Sequence, residues 1–226
     1  MSDLAINADL QETTYPLPQP NYLRFLGKFF SYVFHPLFIP LYVSAYVIYV
    51  HPYAFAVFDD KQKLLRLLSV FLITAFFPAF TVFLLWRLQF ADSIYLKTQK
   101  ERIIPYVASI IFFFWAFYVS RSLPGSPTVM TSFFLGIFLA TSAALMTNNY
   151  FKISMHALGV GGAAAYMAIL GLVTEEAMSL PIALAMLVAG IVCTARLIVS
   201  DHKPFEIYWG LILGAIAQIF SAFVIL

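Results

Sequence analysis

Ala195-Arg196-Leu197-Ile198-Val199-Ser200-Asp201-His202-Lys203-Pro204-Phe205-Glu206 separates two apolar runs, 181–200 and 206–226. Each run has about the twenty residues that a helix needs to cross a bilayer. Five residues of the stretch (Arg196, Asp201, His202, Lys203, Glu206) are ionisable, in a chain whose charged residues amount to only 11%. Ionisable groups at a membrane boundary cost free energy, which makes them functional candidates.

The spacing has mechanical content. His202 and Glu206 are four apart, one helical turn, on the same face. A carboxylate there can accept a hydrogen bond from one imidazole nitrogen, fix the tautomer and leave the other nitrogen as nucleophile or base. Pro204 suits the first turn of a helix, where its missing N–H costs nothing. A helix therefore starts near Asp201 to Lys203, with an N-terminus that favours anions. One continuous helix would not put Arg196 and His202 on the same face, but a break between them lets both converge on one anion. A guanidinium grips phosphate bidentately. The alternative is a basic loop between two spanning helices, with a histidine that is merely hydrogen-bonded.

Working outward, the composition fits a polytopic membrane protein. Hydrophobic residues make up 62% of the 226 and the mean hydropathy is +0.88, far above a soluble domain. A net charge of +2 says little about partners, no nucleic acid is expected, and a single cysteine, Cys193, excludes a disulfide framework. The expected fold is an all-α transmembrane bundle of six or seven spans, with candidates at 37–58, 66–90, 103–120, 127–147, 153–174, 181–200 and 206–226. Pro40, His51 and Pro52 interrupt the first. No two-residue alternation marks an outer-membrane barrel. Residues 1–20, with Pro16, Pro18 and Pro20, form a flexible polar tail, and 21–34 read as an interfacial amphipathic helix bearing Arg24 and Lys28. Residues 35–226 form one domain. Small residues cluster at Gly159, Gly161, Gly162 and Ala163 to Ala165, and Gly210 and Gly214 recur four apart; both patterns let helices pack closely in lipid.

If all seven segments cross, the N-terminus and the loops near 91–102, 148–152 and 201–205 share one side. Two of these loops add chemistry: Lys97-Thr98-Gln99-Lys100-Glu101-Arg102-Ile103-Ile104-Pro105, and Asn148-Asn149-Tyr150-Phe151-Lys152-Ile153-Ser154-Met155-His156. Taken singly, the first is a basic anchor and His156 a structural histidine. Together with the opening stretch they put two histidines, several cations and a carboxylate on one side. Phosphoryl transfer needs such charge stabilisation and a positioned nucleophile. A count of nine basic residues on that side against four on the other places it in the cytoplasm, unless several of the nine hold phosphate instead.

At these residues the chain resembles the type-2 phosphatidic-acid phosphatases, lipid-phosphatase relatives of the vanadium haloperoxidases. The family's third motif, Ser-Arg, five residues, His, three residues, Asp, is similar to Ala195-Arg196, five residues, His202, three residues, Glu206. The second, Pro-Ser-Gly-His, is similar to Ile153-Ser154-Met155-His156. The first, Lys, six residues, Arg-Pro, matches loosely: Lys97 precedes Arg102 by five, with proline at Pro105. Ala195, Met155 and Glu206 depart from the pattern, and so does the hairpin expected over 103–147.

The resemblance implies a metal-independent phosphoric or diphosphoric monoester hydrolase acting on membrane lipids through a phosphohistidine. His202 would be the nucleophile, Glu206 its orienting carboxylate, and His156 the proton donor and later the base. Arg196, Arg102, Ser154 and Lys97 would bind phosphate. No metal or other cofactor is implied, and the four histidines (His35, His51, His156, His202) show no ligand spacing. The implied substrate is a lipid phosphate or isoprenoid diphosphate, in a bacterial inner membrane with the site on the periplasmic face. A lipid phosphotransferase on the same site and a non-catalytic lipid-phosphate binder or transporter are the alternatives.

Overall fold

The computed structural model describes residues 19–90, 99–174, 177–199 and 202–226. The expected tail lies mostly outside them, as does Lys97. Among the described residues the chain is all helical: α1 (Asn21–Val33), α2 (Ile39–Val50), α3 (Asp60–Arg87), α4 (Gln99–Ser122), α5 (Thr128–Asn148), α6 (Met155–Thr174), α7 (Ser179–Val199) and α8 (Pro204–Ile225). The last six are long and apolar enough to cross a membrane. With their outward faces carrying residues such as Leu187, Ile216 and Phe223, they mark an integral membrane protein.

The segment 37–58 is not a long helix. Its helical part is α2, which ends in a wide turn where His51 N–H bonds the Tyr46 carbonyl five residues back. The chain nevertheless travels the height of the bundle there. His35 lies against His156 at one end, with ring centroids 5.5 Å apart. At the other end the Tyr46 hydroxyl meets Met178 Sδ at 3.0 Å, and Phe58 fills the space beside Gly125 in the α4–α5 turn. Gly125 has φ +71°, a conformation that suits glycine. The α1–α2 turn and the start of α6 thus lie at one end of the bundle, and Met178 and the α4–α5 turn at the other.

Helix α3 begins six residues before the apolar run, because Asp59 and Gln62 cap each other reciprocally (Gln62 N–H to Asp59 Oδ1, 2.8 Å; Asp59 N–H to Gln62 Oε1, 3.1 Å). It widens at Leu72–Phe76 just before Pro78, which has no N–H to give the preceding turn.

Helices α6 and α8 form the tightest pair, backbone against backbone. A Cβ at Gly214 would collide with the Leu158 carbonyl, one at Gly161 with the Leu211 carbonyl, and one at Gly210 would stand 2.7 Å from the Ser154 carbonyl. Gly136 on α5 makes room for the Gln218 side chain, whose Nε2–H bonds the Phe133 carbonyl at 3.3 Å. These contacts fix α8, and with it the start of α8, relative to α5 and α6.

A methyl group at Gly214 should therefore separate α6 from α8. Gly214→Ala should lower stability by about 1–3 kcal/mol, read as resistance to unfolding in a denaturing detergent. A Cβ on Gly190 would meet nothing within 4 Å, so Gly190→Ala should cost nothing. Equal stability of the two variants would show that the pair does not depend on its glycines.

Candidate functional site

The site is built around three consecutive residues, Lys152, Ile153 and Ser154, that link α5 to α6. His202 Nδ1 lies 2.9 Å from the Lys152 carbonyl, Arg102 Nη1–H points to the Ile153 carbonyl at 3.4 Å, and Ser154 N–H donates to the Glu206 carbonyl at 3.2 Å. The segment thus joins the first turn of α4 to the start of α8.

His202 Nδ1 also lies 3.1 Å from Glu206 Oε2. A carbonyl can only accept, so Nδ1 carries the hydrogen and shares it between Lys152 and Glu206. In the neutral ring Nε2 then holds the lone pair. Glu206 is buried and its Oε2 also accepts from Lys203 N–H at 3.0 Å. Pro204 is the first helical residue, as its missing N–H predicts. The His202–Glu206 pair differs from the expected helical turn in one respect: His202 lies two residues ahead of α8, and the contact is made by Glu206 reaching back as a cap.

His156, in the first turn of α6, is tied in the opposite sense. Its Nε2 lies 3.0 Å from the carbonyl of Ser31 on α1, so Nε2 carries the hydrogen and Nδ1 the lone pair of the neutral ring. The hydroxyl of the same serine accepts from Arg196 Nη1 at 3.3 Å.

His202, His156, Arg102 and Arg196 line one cavity of about 750 Å3, inside the range of ligand pockets. Arg196, in the last turn of α7, and His202, ahead of α8, border this same cavity. From this polar end the cavity runs between α4, α5 and α6, past Phe113 and Ile137, to Gln218. Gln218 lies twelve residues beyond Glu206 on α8, or about 18 Å of helix. Pro78, Val82 and Phe83 of α3 and the α1–α2 turn also line it. The cavity thus has a cationic end and an apolar length.

Ser154 does not join the cavity wall. It is fully buried and its hydroxyl lies 3.5 Å from Ala157 N–H, a capping position at the start of α6. Sequence spacing did not single out Ser31, His35 and Tyr106 as wall residues, and it placed Lys28 at the membrane surface. The signal for three of these was present: Lys28, Ser31 and His35 recur at three- and four-residue spacing. The carbonyls of Lys152 and Ser31 left no signal, since any residue supplies one. Among the described residues no three His, Cys, Asp or Glu side chains gather as a metal-ligand set. No protein family, curated protein or solved structure matches this chain.

Burial lowers the His202 pKa from its ordinary 6.5. The Glu206 hydrogen bond and charge oppose that shift, while Arg102 and Arg196 add to it. The net effect favours the neutral ring of His202 more than in a free histidine. Glu206→Gln removes the carboxylate charge that raises the pKa, so the His202 titration should move to still lower pH. Nitrogen-15 NMR of labelled histidine should show the Nδ1–H tautomer at pH 7 and that downward displacement. An upward displacement would mean that Glu206 does not stabilise the imidazolium.

Proposed function

We propose that the polar end of the cavity binds the phosphate of a membrane lipid and that His202 attacks its phosphorus. The observation that carries the reading is His202 itself: its Nδ1–H is tied to Glu206 and to Lys152, and its ring borders a cavity shared with Arg102, Arg196 and His156. The motif resemblance points the same way. The reading is thus a lipid phosphate phosphatase, or polyprenyl diphosphate phosphatase, of the type-2 phosphatidic-acid phosphatase kind. By that analogy its site would face the periplasm from a bacterial inner membrane.

In this mechanism the Nε2 lone pair of His202 forms a bond to phosphorus as the bond to the leaving oxygen breaks. The phosphoryl-imidazolium is stabilised through Nδ1–H by Glu206. Arg102 and Arg196 balance the charge on the equatorial oxygens. His156 gives its proton to the leaving oxygen, and a phosphate beside it favours the protonated form it needs for that step. Water then attacks phosphorus, His156 takes the water's proton, and the P–N bond breaks to release inorganic phosphate and neutral His202.

The test is phosphate release from a panel of lipid phosphates and diphosphates by the purified protein. Activity should survive EDTA and be inhibited by vanadate, which adopts five-coordinate geometry. His202→Ala should be inactive and trap no acid-labile phosphate. Glu206→Gln should lower turnover by a factor on the order of ten to a thousand. His156→Ala should lose most activity on lipid phosphate yet keep a larger share of the first step on nitrophenyl phosphate, whose phenolate leaves without a proton. A labelled phosphoenzyme in His202→Ala would remove His202 as nucleophile. An intact protein that binds lipid phosphate but releases none would be a binder.

A further inference from the structure

Helix α1 looks from its sequence like a surface anchor, yet one of its polar stripes borders the cavity, buried at Ser31 and still exposed at Lys28. Lys28, Ser31 and His35 all line the same cavity as His202 and Arg196, while Tyr22, Phe25 and Phe29 are exposed on the outside. The helix is held close. A Cβ on Gly27 would stand 2.6 Å from Val199 Cγ1 and 3.4 Å from the Ala195 carbonyl on α7. Ser31 makes two bonds to the site, from its carbonyl to His156 and from its hydroxyl to Arg196. His35, just past the end of the helix, lies edge-on to His156 with ring centroids 5.5 Å apart.

We propose that the Lys28–Ser31–His35 stripe of α1 is a wall of the anion site, with Lys28 and His35 contacting the phosphate headgroup of a bound amphiphile. Lys28 stands at the mouth, where an ammonium on a flexible stem can follow an anion inward. His35 is placed to donate from its ring: Leu37 N–H lies 3.4 Å from His35 Nδ1, which leaves the hydrogen of the neutral ring on Nε2. Lipid-facing aromatics on the other stripe keep the helix against the bundle. The proposal rests on the reading of the cavity as a phosphate site, and not on hydrolysis.

The probe is dodecylphosphonate, whose P–C bond is not cleaved, with dodecanol as a chain lacking the anion. Binding to the full-length protein in nanodiscs is measured by calorimetry for wild type, Lys28→Gln, His35→Ala and, at the opposite end of the bundle, Lys61→Gln. Loss of a hydrogen bond to a charged group should weaken phosphonate binding roughly ten- to a hundredfold in the first two variants. Dodecanol binding should be unchanged in all, and Lys61→Gln should match wild type. Thermal unfolding of each variant reports folding, and Lys28→Arg should recover binding. Phosphonate affinity unchanged in both Lys28→Gln and His35→Ala overturns the proposal and returns α1 to the role of an anchor. If wild type releases no phosphate from any lipid but the phosphonate effects appear, the α1 wall stands and the phosphatase reading fails. If phosphate is released and both variants bind normally, the phosphatase reading stands and the wall fails.

Discussion

The grip on residues 152–154 is the constraint on which the rest depends. A non-helical backbone segment inside a bundle must find partners for its carbonyls and amides, because lipid offers none. Here the partners are His202, Arg102 and the Glu206 carbonyl. The contacts that satisfy the α5–α6 connection therefore also set the rotamer of His202 and draw Arg102 toward it. Breaking any one would expose a buried polar group and disturb the site together, so fold and site cannot be adjusted separately. Phe151 packed on Phe205, with centroids 4.5 Å apart, closes the same junction with apolar surface.

That grip requires α8 to lie close enough to α6 for Glu206 to meet Ser154. The glycines supply the closeness. Gly210 faces the Ser154 carbonyl one turn below Glu206, and Gly214 and Gly161 continue the approach. Helices in lipid gain little from burying apolar surface against one another, so backbone proximity and interhelical hydrogen bonds such as Gln218 to Phe133 do most of the holding. The small residues that bring α6 to α8 leave larger side chains of α4 and α5 to stand off, and the cavity occupies the space between.

This division explains what could be read in the sequence. The six long helices were legible because each is an apolar run of bilayer length, and the start of α8 because Pro204 can sit only in a first turn. The His202–Glu206 pairing was legible from spacing, although it forms as a cap. The segment 37–58 was ambiguous because Pro40 sits in the first turn of α2 and Pro52 lies just past its end, so only a short helix forms although the chain runs from one end of the bundle to the other. The apolar run 66–90 marks only part of α3, because the helix's first turns are charged and only the Asp59–Gln62 cap marks them. The motif points Ser154 at phosphate, but a serine at a helix start has its own backbone to cap. The inward stripe of α1 was hidden because polar residues on a surface helix ordinarily face water, and nothing in 21–34 alone says that a cavity lies on that side. Lys97 lies outside the described residues.

The two histidines differ in a way that bears on their roles. Each has one ring nitrogen bound to a backbone carbonyl, Lys152 for His202 and Ser31 for His156, but through opposite nitrogens. Among the described residues only His202 has a carboxylate behind that bond as well. A nitrogen that forms a covalent bond to phosphorus leaves its ring with a full positive charge for the life of the intermediate, and a carboxylate at the far nitrogen stabilises that charge more than a neutral carbonyl does. A ring that only passes a proton to and fro needs its charge for one step and must give it up readily in the next; a carbonyl orients it without holding the proton in place. In the proposed phosphoryl transfer the nucleophile therefore belongs to the histidine backed by Glu206. The proton carrier belongs to the one backed by the Ser31 carbonyl of helix α1.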